Sequence, residues 1–458
     1  MNLKNRLAKP IVVLLVALLV VSVCACVLEP EPLPSPPPTV LPTVQPSPTT
    51  PPVAVLDPAG AELHLWHAFT GVREATLLNL VAQFEAGNPD GIKLRVEFHN
   101  PLHQEILTAI SAGTPPDIII TSCDRSAEYA ALDAIVPLST YLDNARHGLA
   151  EAEQDDLWPI VLSGCSNAQT RSSLGFLFDP QAAVMFYNAA WLKRLKVEAP
   201  PQNWAEFRKL ANIARDKKVA TWGYAHVSDG LTLVNWLSGL GGVLFDAQHN
   251  QVTLDDAQAV TALRVLQDLL QDGCAYCVTE TGADHAGFAA EKILFSFGST
   301  ADLPQYTAAI YNTKTGKDKF AWDIVPMPGL QSDPIINVQG SVMSILHTTP
   351  RQQLAAWLFL KWFVQRENDV QWTLATGALP LHKSSLETPD MQAYLEQTPQ
   401  FKTACGLLAN AETEPAIPGW QKIRTLLVNA AGMVCSGQAD PADALAAADT
   451  AADGLWAR

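Results

Sequence analysis

Between Ala61 and Ser122 the hydrophobic period changes back and forth between that of a strand and that of a helix. "AELHLWHAF" starts with alternation, Leu63 and Leu65 on one side and Glu62, His64 and Trp66 on the other. "VREATLLNLVAQFEAGNPDG" places Leu77, Leu80, Val81 and Phe84 at i, i+3, i+4 and i+7, and the Gly87, Asn88, Pro89 cluster stops the helix. "IKLRVEF" reads as a strand, "HQEILTAISAG" as a helix ended by Gly113, and "PDIIIT" as a short buried strand. Five segments in β-α-β-α-β order within about 60 residues are the grammar of a parallel or mixed sheet covered by helices.

The same grammar returns downstream. "AAVMFYN", "WGYAHV" and "KILFSFGS" read as strands, as do "FAWDIVPMPG" and "VQGSVMSILH". "NWAEFRKLANIARDK", "LTLVNWLSGLGG" and "DDAQAVTALRVLQDLLQDG" read as helices, the last with Leu263, Leu266 and Leu270 on one face. A helix-rich tail opens at "RQQLAAWLFLKWF". The expected class is α/β with mixed sheets covered by helices, in blocks the chain visits more than once. About 400 residues from Ala59 onward, in a chain 48% hydrophobic, suffice for two cores.

The N-terminus reads as an export signal. Lys4, Arg6 and Lys9 precede an apolar run, Ile11 to Val23, too short to span a bilayer comfortably. "VCAC" ending at Cys26 resembles a lipobox, with Cys26 as the lipid-bearing first residue of the mature chain; a plain secretory signal and a non-cleaved membrane anchor are the alternatives. Pro30 to Pro52 then holds 11 prolines in 23 residues. Such a run builds no core and extends as polyproline II, reaching roughly 70 Å as a tether.

Removing the signal takes the formal charge from −16 to −19. An acidic chain without basic runs argues against nucleic acid. Six cysteines follow Cys26, and an even number on an exported chain suggests disulfides. Proximity suggests Cys123–Cys165, Cys274–Cys277 and Cys405–Cys435, among 15 pairings that six cysteines allow. "CAYC" follows a helix rather than opening one, so it is a poor redox motif. With no second CxxC and no paired His, no metal or cofactor is expected.

No nucleophile elbow, phosphate loop or HExxH is present. Asp117, Asp124 and Asp133 could serve a glycosidase, but nothing in the sequence pairs them. Ligands of open α/β sheets sit at the carboxyl ends of strands. There stand Trp66, His67, Phe69 and Thr70; Ser122, Cys123, Asp124 and Arg125; and Ser299 and Thr300. Aromatic faces with Asp and Arg suit a sugar. Trp66 and Trp236 suit a core equally well, Asp124 and Arg125 a helix start, and His67 a solvated loop.

Four stretches together resemble one family. These are "LHLWHAFTG…LLNLVAQFEAGNP", "ILTAISAGTPPDIII", "VMFYNAAWLKRL…PPQNWAEFRKLA", and "FAAEKILFSFGST" with "ATGALPLHKSS". Over roughly Glu62 to Ser385 they resemble the family 1 extracellular solute-binding proteins of ABC importers, which include maltose-binding protein. The resemblance implies a two-lobe periplasmic-binding-protein-like fold (type II) with a hinge between lobes and a ligand in the cleft. It implies chain crossings near Ser172–Phe178, Phe297–Ser299 and Ser344–His347. The implied organisation is a signal at 1–25, a tether at 26–58, a first lobe of 59–172 with 299–346, and a second of 173–298 with 347–458. Trp66, His67, Asp124, Arg125, Tyr187, Trp236, Ser299, Gly340 and Ser341 are the implied ligand-binding positions. His382 stands where relatives often carry a positive residue.

The expected function is that of a receptor, not an enzyme. Lipid-anchored at the outer face of the cytoplasmic membrane and monomeric, it would capture a sugar, oligosaccharide or polyol and deliver it to a permease. A surface lipoprotein glycosidase, binding of glycerol phosphate, and a sensor partner of a membrane kinase are the alternatives.

Overall fold

The computed structural model describes residues 56–330 and 336–456. The export signal, Cys26 and the proline run lie outside the described residues.

The opening segments fold as their periods require. β1 (Glu62–His67) buries Leu63 and Leu65, and β2 (Lys93–Phe98) pairs with it in parallel, Leu63 opposite Leu94. The helix Val72–Gly87 between them buries Leu77, Leu80, Val81 and Phe84, the predicted face. Helix Leu102–Ser111 leads to β3 (Ile118–Ser122), parallel to β1. Ile118, Ile119 and Ile120 are all buried, because helices cover both faces of the strand. β4 (Ile135–Val136) and β5 (Phe176–Leu177) are short additions.

β6 (Gln181–Tyr187) opens a second sheet. Its odd and even residues face different cores: Ala182, Val184 and Phe186 one way, Ala183 and Met185 the other. β7 (Trp222–His226) follows helix Trp204–Ala214, whose first turn is capped by the Asn203 side chain. A hairpin of β8 (Phe245–Asp246) and β9 (Gln251–Val252) precedes helix Ala257–Gln271, capped by Asp256. That helix buries Leu263, Leu266 and Leu269, so the core contact predicted for Leu270 falls one residue earlier. β10 (Ala275–Cys277) and β11 (Ile293–Ser299) both run parallel to β7. A hairpin of β12 (Tyr311–Asn312) and β13 (Lys317–Asp318) leads to β14 (Asp323–Val325), all that "FAWDIVPMPG" contributes as strand.

"VQGSVMSILH" is two strands in two sheets. β15 (Ile336–Gln339) pairs with β6, and β16 (Ser341–Leu346) pairs antiparallel with β3. β17 (Ala411–Thr413) closes the second sheet beside β15. The strand orders are β2-β1-β3-β16-β4, with β5 on β16, and β10-β7-β11-β6-β15-β17, with β14 on β6.

The chain therefore changes sheet at Phe178–Pro180, at Gly340, and between helix Arg366–Thr376 and β17. At the expected crossing Phe297–Ser299 it stays with the second sheet: Tyr306, in the next helix, stacks on Phe186 of β6 at 3.8 Å. Ser344–His347 is likewise no crossing, since Ser344 lies inside β16. Of the segment 299–346, assigned to the first lobe from sequence, β14 and β15 join the second sheet. Helix Pro350–Phe363, assigned to the second, packs its Trp357 on Phe176 and Tyr141 of the first. Alternation reveals that a segment is a strand; it carries no information about which sheet receives it.

Gly340 is where two crossings touch. A Cβ there would lie 2.2 Å from the Asp179 carbonyl oxygen. Gly340→Ala is therefore expected to cost about 1–3 kcal/mol through forced backbone displacement, read as a lower urea midpoint.

Among the described residues two disulfides are formed. Cys123–Cys165 is as expected; the second joins Cys277 to Cys435, and Cys274 and Cys405 are buried free thiols. The expected Cys274–Cys277 and Cys405–Cys435 pairs are not made. Near-extended backbone separates residues three apart by about 10 Å, beyond disulfide reach, which fits Cys274 entering β10 without meeting Cys277. Cys435, at the end of helix Trp420–Cys435, instead meets the Cys277 strand. No described helix is long and apolar enough to cross a membrane.

Candidate functional site

The two sheets present strand ends to a common cleft. From the first come Ser122 ending β3, Cys123 and Asp124 just after it, and Ser341 at the start of β16. From the second come Gln181 opening β6, Gln339 ending β15, Thr413 ending β17 and Glu414 just after it. Trp420 and Arg424 of helix Trp420–Cys435 complete this part, of about 250 Å³. Gln181 and Gln339 also line an adjoining space of about 540 Å³, walled by Asp229, Glu280, Asp284, His285, Ser299 and Asp302. That room is on the scale of small-molecule pockets, roughly 300–1,000 Å³.

One network orders the first part. The Arg424 guanidinium donates from Nε to Glu414 at 2.7 Å and from Nη2 to the Gln339 side-chain oxygen at 2.7 Å. The Trp420 indole N–H donates to the same Glu414 oxygen. Burial works against the Arg424 charge, but Glu414 and nearby carboxylates outweigh it and raise the pKa. Asp179, at the first crossing, accepts from Arg73 at 3.0 Å and from the Trp372 indole at 3.1 Å. Burial raises the Asp179 pKa, and Arg73 opposes the rise. Two carboxyl oxygens, Asp124 Oδ2 and Glu414 Oε1, are buried without a hydrogen-bond partner among the described residues.

Residues 79–403 match the family described as bacterial extracellular solute-binding protein. The chain belongs to that family. Among solute-binding proteins and their relatives, it is similar to a Brucella abortus (strain 2308) protein named as a binding protein, 24% identical over 388 residues, covering 81% of this chain and 87% of the other. It is 22% identical over 417 residues to the sn-glycerol-3-phosphate-binding periplasmic protein UgpB of Rhizobium meliloti (strain 1021), covering 84% and 92%. In fold it is similar to the sugar-binding protein MalE from the phytopathogen Xanthomonas citri, with a TM-score of 0.74 at 19% identity over 87% of this chain and 98% of that one. The fold is thus the two-lobe periplasmic-binding-protein-like fold.

The residues predicted from sequence distribute unevenly around this solute-binding protein's cleft. Asp124, Gly340 and Ser341 line its first part and Ser299 its second. Ser299 is partly committed, its hydroxyl accepting from the Ala301 N–H while Asp302 accepts from the Ser299 N–H. Burial raises the Asp302 pKa, against that hydrogen bond. Arg125 faces a neighbouring depression with His103 and Lys422, and pairs with Glu128 at 3.0 Å. Trp66 stacks on His99 at 4.0 Å and donates to Glu97. His67 is buried, its Nδ1 accepts from the Phe69 N–H, and burial lowers its pKa. Neither contributes to the cleft wall. Tyr187 ends β6 six residues from Gln181, about 20 Å along the strand. His382 is held by Asp156 and the Val364 carbonyl, away from the cleft.

Trp236 is core. It is 0% exposed, donates to the Ala262 carbonyl at 2.8 Å, and packs among Trp204, Tyr224 and Phe297. Beside it lies His226, whose pKa burial lowers from 6.5 to about 4. Its neutral form is the folded form, so the unfolded chain gains the proton first as pH falls. This contribution is whole above pH 6.5 and is lost as pH falls through about 4, amounting to about 3 kcal/mol. Urea midpoints measured across that window are expected to fall on the acid side, with a shallower slope for His226→Gln.

Sequence reasoning missed Asp179, Gln181, Gln339, Glu414, Trp420 and Arg424. Gln181 opens β6, on the side the carboxyl-end rule does not inspect, and Gln339 does end β15, but "VQGSVMSILH" reads as one strand and hides that end. Glu414, Trp420 and Arg424 lie in the tail, past the stretch that carried the family resemblance.

Proposed function

We propose that this chain is the extracytoplasmic receptor of an ABC importer, capturing a sugar, oligosaccharide or polyol in the inter-sheet cleft and delivering it unaltered to a membrane permease. The observation that carries this is the ligand-sized cleft built jointly by strand ends of both sheets and lined by amide, hydroxyl, carboxylate and indole groups. Such a wall suits a ligand with many hydroxyls. The Xanthomonas citri neighbour is named as a sugar-binding protein.

In this reading the lobes follow the sheets. Residues 59–178 with 341–376 form one, and 181–339 with 411–456 form the other. Closure about the crossings at Phe178–Pro180 and Gly340 traps the ligand. Cys26 carries the lipid, the proline run spaces a monomeric receptor from the outer face of the membrane, and no bond of the ligand is broken. Asp117, one candidate glycosidase carboxylate, accepts from the His64 N–H at 2.9 Å, and neither it nor Asp133 lines the cleft.

Glycerol phosphate, named for the Rhizobium meliloti relative, asks for a cation free to meet a dianion. Among the described residues, Arg424 is the one guanidinium lining the cleft, and Glu414 and Gln339 engage it. Arg125 and His67 stand outside the wall. Isothermal titration with maltose, cellobiose, ribitol and glycerol 3-phosphate is the test. Heat with a saccharide or polyol, and an upward melting shift, are expected. Heat with glycerol 3-phosphate alone would replace this reading, and silence from all four would remove it.

A further inference from the structure

We propose that the cleft selects a saccharide bearing a protonated amine over its neutral counterpart. The inference rests on the carbohydrate reading and narrows it.

The wall has far more acceptors than cations. Asp124, Asp179 and Glu414 line the first part, and Asp229, Glu280, Asp284 and Asp302 line the second; Arg424 and His285 are the basic groups facing them. Asp179 is matched by Arg73 and Glu414 by Arg424. Asp284 has the His285 ring at 3.5 Å as its one ion-pair partner among the described residues and accepts from the Tyr306 hydroxyl at 3.2 Å. Asp124, Asp229, Glu280 and Asp302 have no ion-pair partner among the described residues.

Two of these carboxylates point to a ligand independently of the charge count. The Asp124 residue is 6% exposed and its Oδ2 has no partner. The Glu414 side chain is 7% exposed; one oxygen serves Arg424 and Trp420, and Oε1 has no partner. Both line the first part of the cleft, one from each sheet. A buried acceptor without a donor is costly, so each calls for a donor from whatever enters.

The chemistry of that donor follows from the inventory of the wall. A hydroxyl donates one hydrogen and brings lone pairs that need donors in turn. An ammonium group brings three donors and no acceptor. Hydrogen bonds with an ionised partner are roughly twice as strong as neutral ones, and more so out of water. The cationic donors on the wall are few, and Arg424 is already engaged by Glu414 and Gln339. Hydroxyls elsewhere on the ligand can still meet Gln181, Gln339, Ser122 and Ser341, so a sugar body with an amine fits better than either part alone.

Titration with four compounds tests this: the β-1,4-linked glucosamine disaccharide, its di-N-acetylated form, cellobiose, and spermidine. At about pH 6, where the sugar amine is protonated, the diamine disaccharide is expected to bind at least tenfold tighter than either neutral disaccharide. At about pH 9 that advantage should vanish. Asp124→Asn and Glu414→Gln are each expected to cut the diamine-to-cellobiose affinity ratio at least fivefold, with melting temperature reporting whether the variant is folded. The ratio also excludes general attraction to an acidic protein, which one isosteric change would barely move.

Cellobiose within threefold of the diamine, or a ratio kept by both variants, overturns the inference and leaves the carbohydrate reading standing. Spermidine binding tighter than the diamine upholds the amine site and removes the saccharide reading. Silence from all four overturns the inference, and the carbohydrate reading falls with it only if maltose and ribitol are silent as well.

Discussion

Replacing Cys277 and Cys435 together by alanine is expected to lower unfolding stability by about 4 kcal/mol and to weaken ligand binding as well. The bridge spans 158 residues of sequence, so losing it restores a large share of unfolded-state freedom; loops of this size are worth about 4–5 kcal/mol in the chain-entropy account. Its location extends the effect to function. Cys277 ends β10, the edge strand of the second sheet, and Cys435 ends the helix that begins at Trp420 and carries Arg424 into the cleft. Without the bridge, that helix keeps its packing on the second core through Ile423, Leu427 and Ala431 but loses its covalent tie to the sheet. Urea unfolding measures the first effect and titration the second. A midpoint unchanged within error would show that the bridge does not constrain the chain as described.

Arg424→Met is expected to cost about 3 kcal/mol and to abolish tight binding. The Arg424 side chain is 18% exposed and holds Glu414, so removing it leaves a buried carboxylate without its countercharge. Breaking one side of such a pair costs about 3–5 kcal/mol, and the partial exposure of Arg424 argues for the lower end. Gln339 loses its partner at the same time, at the point where the two parts of the cleft meet. The double variant Arg424→Met with Glu414→Gln should recover at least about 1 kcal/mol relative to the single change, because no unpaired charge then remains. Strict additivity in that cycle would mean that the pair is not the interaction the geometry describes.

These two effects sit in parts of the chain that the sequence makes hard to read. The first three strands and two helices were legible because Leu63, Leu65, Leu77, Leu80, Val81 and Phe84 declare their faces through period alone. The class of fold follows from that alternation. Sheet membership does not, because β15 and β16 are joined by a single glycine and enter different sheets. The resemblance puts Gly340 near the ligand but places the crossing at Ser344–His347; the one local sign of a sheet change at Gly340 is that a glycine interrupts an otherwise continuous strand pattern.

The cleft was legible in the same partial way. Asp124 and Ser299 were found by looking at strand ends, and Gly340 and Ser341 through the family resemblance. Trp236 was misread because an indole in an apolar helix has the same pattern whether it faces a cleft or a core, and here its N–H is satisfied by the Ala262 carbonyl. Glu414 and Arg424 are ten residues apart across a turn and the start of a helix, and no short motif marks such a pair. The Cys277–Cys435 bridge was hidden for a related reason: proximity in sequence favours Cys274, but a strand holds its neighbours apart.

The account stands most directly on the place and fate of the ligand. A crystal structure of the protein saturated with the tightest saccharide from the titrations measures both. The account predicts an intact saccharide between the sheets, in contact with Asp124 and Glu414 and near Gln181, Gln339 and Arg424. A saccharide bound elsewhere on the surface, or a cleaved product in the cleft, would contradict it.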